Sequence, residues 1–191
     1  NGIETPREAS LNETKKYQNT RGDSLQAKLA RIRNAGMEVS AGFIVGFDND
    51  TPSIFRRQID FIQKSGIVMA NVAILQAPTG SRLYERLKQE GRLLGQMLFD
   101  VAYGSTNFVS TMDIATLREG YKDSMRNIYS PEHYYQRVKT FLREYKPPKV
   151  VTRLNFEDIL AFFRSIYHLG ILGKERVHYW RLLLWTCFHR P

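Results

Sequence analysis

The sequence holds one cysteine, Cys187, in 191 residues. A disulfide framework within the chain is thereby excluded. So is any metal or iron–sulfur site that draws several thiolates from this chain. Histidine is scarce too: His133, His168, His178 and His189 lack the i, i+4 spacing and close second ligand of a metal site. They read as ordinary surface or boundary residues, and no metal ligand or catalytic residue is assigned. No run of about eighteen uncharged apolar residues exists, so nothing is long enough to span a bilayer as a helix. Acidic residues are the minority, 19 against 28 basic, for a net charge of +9. That excess is spread along the chain and draws anionic partners only weakly. No arginine cluster or stacking motif accompanies it, and no nucleic-acid partner is expected. Low-complexity tracts are missing.

What is present suits a folded chain. Hydrophobic residues are 42% and charged residues 25%, which excludes disorder as the main state. Asn1 is not an initiator methionine, no signal or transit segment follows it, and the chain stops inside the apolar Trp185-Thr186-Cys187-Phe188. The expectation is a piece of a longer, cytoplasmic protein.

The first half alternates helix and strand. Thr5-Pro6-Arg7-Glu8 combines a cap, a first-turn proline and a capping-box acid, and predicts a helix to about Tyr17. Leu25, Leu29 and Ile32 predict a second helix, stopped by Gly36. Met37 to Phe47 reads as a strand whose Phe43-Ile44-Val45 suits coverage on both faces. Thr51-Pro52 opens a helix along Phe55, Ile59 and Ile62 that ends at Gly66, and Ile67 to Leu75 reads as the next strand. Ala77 to Ser81 is a turn before a helix over Arg82 to Glu90. Gly36 and Gly66 each precede strand, loop and helix, the pattern of β/α units in a parallel sheet, with ligand sites at strand ends. Residues 92–112 read mostly as loop. From Asp113 the pattern is helical: Ile114, Leu117, Tyr121, Met125 and Ile128, then a restart at Ser130-Pro131-Glu132. Lys146-Pro147-Pro148-Lys149 breaks the chain. Beyond it lie a helix on Phe156, Ile159, Leu160, Phe163 and Ile166 and a last helix with Trp180, Leu183, Leu184 and Cys187.

Several motifs admit two readings. In Gly42-Phe43-Ile44-Val45-Gly46 the glycines clear one strand face, for a flat ligand group or for close helix packing; read alone, packing is favoured. Asp48-Asn49-Asp50-Thr51 resembles the first motif of the haloacid dehalogenase phosphatases, a magnesium-dependent class in which the first aspartate is nucleophile and the second a general acid. The later acidic pair of that class is missing, and the plainer reading is a turn whose aspartates cap the helix from Thr51. Glu4 suits either a ribose or amine contact or a favourable helix-start charge. Arg176, Tyr179, Trp180, Arg181 and Trp185 suit an anionic membrane surface or docking on another domain, with packing favoured. Cys187 on this aromatic stripe reads as core.

Three segments in order carry a wider resemblance: Gly2-Ile3-Glu4-Thr5-Pro6, Gly42 to Phe47, and Ala77-Pro78-Thr79-Gly80-Ser81-Arg82-Leu83-Tyr84. Together the chain resembles the later part of radical S-adenosylmethionine proteins, in particular the cobalamin-binding-domain subgroup. Glu90 to Leu94, Tyr129-Ser130-Pro131 and Tyr134-Tyr135 resemble the helical extension of that subgroup. The resemblance implies an α/β fold: the C-terminal portion of a partial (β/α)6 TIM-like barrel over residues 1–97, followed by an α-helical extension over 98–191. It implies that Gly42, Ile44 and Gly46 lie against the cofactor's adenine, that Glu4 meets its ribose or methionine part, and that the turn holding Ala77 and Gly80 passes nearby. Asn49 stands where that pattern has an acid, Ala41 replaces the first glycine of the usual pair, and Ser81 replaces the usual threonine. The family's iron–sulfur cluster needs a three-cysteine loop that this chain does not contain. The expectation is therefore a fragment, inactive alone, of an enzyme that uses S-adenosylmethionine, an iron–sulfur cluster in the full-length parent, and cobalamin in some members. Its small-molecule substrate is not indicated. An open sheet edge leads to an expectation of homo-oligomers.

Overall fold

The computed structural model describes residues 2–7, 10–11, 22–95, 104–147 and 155–189. Among them the protein is mixed α/β, with one small parallel sheet and seven α-helices. Most of the helix expected from Thr5 to Tyr17 lies outside the described residues; Ser10 and Leu11 are helical.

Local chemistry sets each element. The Ser24 hydroxyl accepts the Ala27 N–H and starts α1 (Leu25–Asn34). The Met37 N–H returns to the Ile32 carbonyl past Gly36, so Met37 closes the helix end and cannot open a strand. Strand β2 therefore spans only Ala41–Val45, not Met37 to Phe47. It pairs in parallel with β1 (Gly2–Glu4) and β3 (Ala70–Ile74), with Gly42 opposite both Gly2 and Asn71. Helix α2 (Ser53–Ser65) connects β2 to β3 and ends at Gly66 in the left-handed conformation. The Ser65 hydroxyl accepts the Ile67 N–H, which holds Ile67 in the helix exit and shortens β3 from the expected Ile67 to Leu75.

Burial along the strands alternates. Ile3, Ala41, Phe43, Val45, Ala70, Val72 and Ile74 pack with Leu29 of α1, Ile54, Phe55 and Ile62 of α2, and Leu117 and Ile128 of α4 (Ile114–Ile128). On the other face Gly2 and Asn71 are exposed and Gly42, Ile44 and Ala73 half-buried. The expectation that Phe43-Ile44-Val45 is covered on both faces is met fully on the side of Phe43 and Val45 and in part at Ile44, which is half-buried against the second cluster. The apolar run conceals a two-residue period because Ile44 supplies an apolar side chain to the less covered face.

A second apolar cluster sits at the C-terminal strand ends. Phe47, Leu75 and Ala77 meet Leu87 of α3 (Arg82–Gln89) and Phe108, and Phe108 bridges to Leu93 in antiparallel fashion. α5 (Pro131–Glu144) then packs against α1, α2 and α4. Its Arg137 is fully buried. The guanidinium donates to the Ile128 carbonyl at 2.6 Å, Gln63 Oε1 at 2.7 Å and the Val68 carbonyl at 3.2 Å, with the Tyr129 and Tyr134 rings within 6 Å. Burial lowers its pKa.

The chain ends in a hairpin: α6 (Phe156–Ser165), a π-helical turn (Ile166–Leu172) and α7 (Arg176–His189). The Asn155 N–H donates to Asp158, fixing the start of α6. α7 lies on α5, with the Tyr135 and His178 rings stacked and Lys139 and Arg143 over Trp185. One expectation fails here, that Cys187 is core. The stripe of Phe156, Ile159, Leu160 and Phe163 faces outward, and α6 buries no residue. Cys187 is exposed, because the α7 side that meets α5 carries His178 and Trp185 instead.

Candidate functional site

Strand ends and the less covered face of the sheet gather the residues singled out from the sequence. Glu4 closes β1 at φ 67°, a left-handed value that the described chain otherwise reserves for glycine. The Thr5 N–H donates to the Ile3 carbonyl at 2.9 Å, so Glu4 is the centre of a three-residue γ-turn. A carboxylate side chain in this conformation costs about 1–2 kcal/mol relative to a right-handed backbone. Local backbone strain of this kind collects at ligand sites.

The two glycines of β2 separate in role. At Gly42 an added Cβ would meet nothing within 4 Å, so the backbone is accessible on the less covered face beside Ile44. Gly46 has φ 98°, and a Cβ there would meet the Leu117 side chain at 3.3 Å. The packing explanation therefore holds at Gly46 and not at Gly42.

Ala77 is fully buried, and its backbone is engaged in both directions by the Asn107 amide. Gly80 takes φ 81° in the turn closed by Ser81 N–H to the Pro78 carbonyl, and a Cβ at Gly80 would meet open space. Ser81 then accepts the Tyr84 N–H and starts α3. Glu4 thus ends β1 at a register shift that sets it opposite Phe43, beside Gly42 and Ile44, which share one face of β2. Gly46, Ala77 and Gly80 shape the loops at its end.

Asp48 and Asp50 are held in structural networks. Asp48 Oδ1 accepts from Arg92 Nη2 at 2.7 Å and Thr111 Oγ1 at 2.8 Å; Oδ2 accepts from Arg86 Nη2 at 2.8 Å and Arg92 Nη1 at 3.1 Å. The Arg92 hydrogen bonds hold the Asp48 pKa below the usual carboxylate value, and Asp48 in turn raises that of Arg92. A carboxylate saturated in this way is a poor nucleophile. Asp50 Oδ2 accepts the Gly46 and Phe47 N–H groups at 3.0 and 3.1 Å, and Oδ1 accepts Ser10 Oγ at 3.0 Å. Burial pushes the Asp50 pKa up. Asp50 therefore ties down the exit of β2 and does not cap α2, whose N-cap position is Pro52 without a side-chain bond. The Asn49 carbonyl accepts from Arg7. Among the described residues no three His, Cys, Asp or Glu side chains converge as metal ligands.

Asn107, Arg92 and Thr111 were not foreseen. They come from the stretch read as loop, and no spacing in that stretch distinguishes them before the fold brings them to residues 48 and 77.

Residues 81–191 match the family model described as domain of unknown function DUF4070, more than half of the chain. The chain belongs to this family. With it, the motif order identifies the chain as the later part of a radical S-adenosylmethionine protein of the cobalamin-binding-domain subgroup. An uncharacterized methyltransferase, sll1242, of Synechocystis sp. is 32% identical over 100% of this chain and 36% of the relative. A hopanoid C-2 methylase of Rhodopseudomonas palustris is 29% identical over 96% of this chain and 35% of the relative. The DUF4070 chain thus spans about a third of the length of these curated relatives. No helix among its described residues is long and apolar enough to cross a membrane.

Proposed function

We propose that the chain is a section of a radical S-adenosylmethionine methylase: the last units of a partial (β/α)6 barrel over residues 1–97 and a helical extension over 98–191. The observation that carries this reading is the unevenly covered sheet. Its helices α1, α2 and α4 cover one face; on the other, Gly42 leaves open space where a Cβ would stand, and Ile44 is half-buried against the cluster of Phe47, Leu87 and Phe108 at the strand ends. A barrel wall has this form, since its second face lines a lumen.

Gly42 suits a purine ring, because nothing occupies the space where its Cβ would stand. Ile44 offers the ring an apolar flank. The Glu4 carboxylate, presented by its γ-turn, suits hydroxyl or ammonium donors of the ribose and methionine parts. The cofactor would supply the radical initiator and the methyl group, chemistry that side chains do not perform. The chain's own part is to bind, orient and exclude water.

The iron–sulfur cluster does not fit this chain. Its one thiol, Cys187, is exposed on α7, at the far end of the chain from the sheet motifs. We assign the cluster loop, and the site for cobalamin, to the remainder of the parent protein, so the chain alone has no methyl-transfer activity. The names of both relatives support methyl transfer as the reaction class.

Equilibrium binding of S-adenosylmethionine to the full-length parent tests the reading. Gly42→Val and Glu4→Gln should each weaken binding by about tenfold or more, a loss of about 1.4 kcal/mol or more. Unchanged affinity in both variants overturns the assignment.

A further inference from the structure

Helix α7 carries two arginines and no carboxylate. Val177, Trp180, Leu184 and Phe188 form a stripe along one side, with relative exposures of 53%, 39%, 54% and 81%. Arg176 and Arg181, both exposed, bracket that stripe on its two sides. The inner side of α7 is already engaged. Tyr179 is buried and its hydroxyl lies 2.9 Å from Ser165 Oγ, the His178 ring stacks on Tyr135, and Lys139 Nζ lies 4.9 Å from the Trp185 ring. The Trp180 indole N–H donates to the Gly170 carbonyl at 2.9 Å, which fixes the ring between the turn and the outer face. The outward stripe is therefore a second apolar side on a helix whose first is used. The neighbouring α6 likewise turns its apolar side outward.

We propose that this outer face docks flat on an anionic lipid bilayer surface. An apolar centre, an indole at its edge and arginines on both margins match the layers of a lipid interface, where long cationic side chains reach up to headgroups while apolar ones enter the acyl boundary. No acid on α7 opposes the negative surface potential of such a leaflet. Fourteen residues are too few to cross the hydrocarbon, so the helix lies along it. A protein partner would have to bury Arg176, for which α7 offers no counter-charge, while Arg181 shares a groove with Glu132 of α5; a hydrated headgroup layer avoids that cost. The docking face lies at the opposite end of the chain from Gly42 and is independent of cofactor binding.

The test is co-sedimentation of the full-length parent with vesicles of phosphatidylcholine, with and without phosphatidylglycerol. The parent should partition onto the phosphatidylglycerol vesicles, less so as salt rises. Leu184→Ser with Phe188→Ser should lower the partition coefficient about tenfold, with thermal unfolding and S-adenosylmethionine affinity unchanged. Arg176→Glu with Arg181→Glu should abolish the preference for anionic vesicles. The proposal is overturned by absence of partitioning, or by equal partitioning onto both vesicle types. It is overturned equally by α7 amides that exchange slowly with and without vesicles, which would mean that another part of the parent covers the face. A dimer that the Leu184 and Phe188 substitutions dissociate, without change in vesicle binding, overturns it as well.

Discussion

The Asn107 side chain and the Ala77 backbone form a closed pair. The Ala77 N–H donates to Asn107 Oδ1 at 2.8 Å, and Asn107 Nδ2 donates to the Ala77 carbonyl at 2.9 Å. A carboxamide here satisfies both polar groups of a buried peptide, as a neighbouring strand would. Gln76 makes a longer contact with Ser105 beside it, at 3.4 Å. The loop after β3 is thereby set by residues from the DUF4070 segment.

Asn107→Leu should cost about 2–4 kcal/mol, because it leaves two buried backbone groups unpaired. The denaturation midpoint should fall, and the Ala77 amide should exchange faster. An unchanged midpoint would show that water replaces the carboxamide without loss.

Asp48→Asn tests the charge hub. The folded pKa of Asp48 is depressed, so its contribution to stability is present above about 3.8, the unfolded value, and is lost as pH falls through the lower folded value. Asp48→Asn should lose roughly 1–3 kcal/mol at neutral pH, and its stability should fall less steeply in acid than that of the wild type. Asp50 has the opposite sign. Its raised folded pKa favours the protonated form, and the associated stability is lost as pH rises through that value. Denaturation midpoints of the two Asn variants across acid pH separate the contributions.

Gly42→Val and Gly46→Ala should behave in opposite ways. Gly42→Val adds a β-branched residue in open space and should leave stability level or raise it by about 0.5–1 kcal/mol while weakening cofactor binding. Gly46→Ala meets both an unfavourable φ and the Leu117 side chain, and should cost at least about 1 kcal/mol. Equal destabilisation by both would mean that Gly42 is also covered.

Glu4→Gly should stabilise the fold by about 1 kcal/mol, since glycine accepts the left-handed backbone without penalty. The same substitution should weaken S-adenosylmethionine binding. Calorimetric unfolding and binding measured on one preparation check both directions.

Helices and their stops were legible in the sequence. Gly36 and Gly66 act through contacts a few residues away, and those contacts recur wherever the same local pattern does. The ends of the strands were less legible. Met37 and Ile67 have strand-like side chains, yet their N–H groups are taken by Ile32 and Ser65. Glu4, Gly42 and Ile44 could be picked out by pattern, but how far each is covered depends on where α1, α2, α3 and α4 pack. The stripe on α6 marks a helix correctly, but periodicity reports an apolar side without saying what it meets, and here it turns outward. Asn107 and Thr111 gave no signal at all, since their partners are 30 and 63 residues away.

The recorded hydrogen bonds of Arg137 go to two main-chain carbonyls and one side-chain amide, none of which titrates in acid. Asp48, by contrast, loses its grip on Arg86 and Arg92 once protonated. Acidification should then loosen the loops beyond the strand termini first, while the contacts that Arg137 makes between α5 and Gln63 of α2 stay shut. The order of failure is written into which oxygens each guanidinium chose.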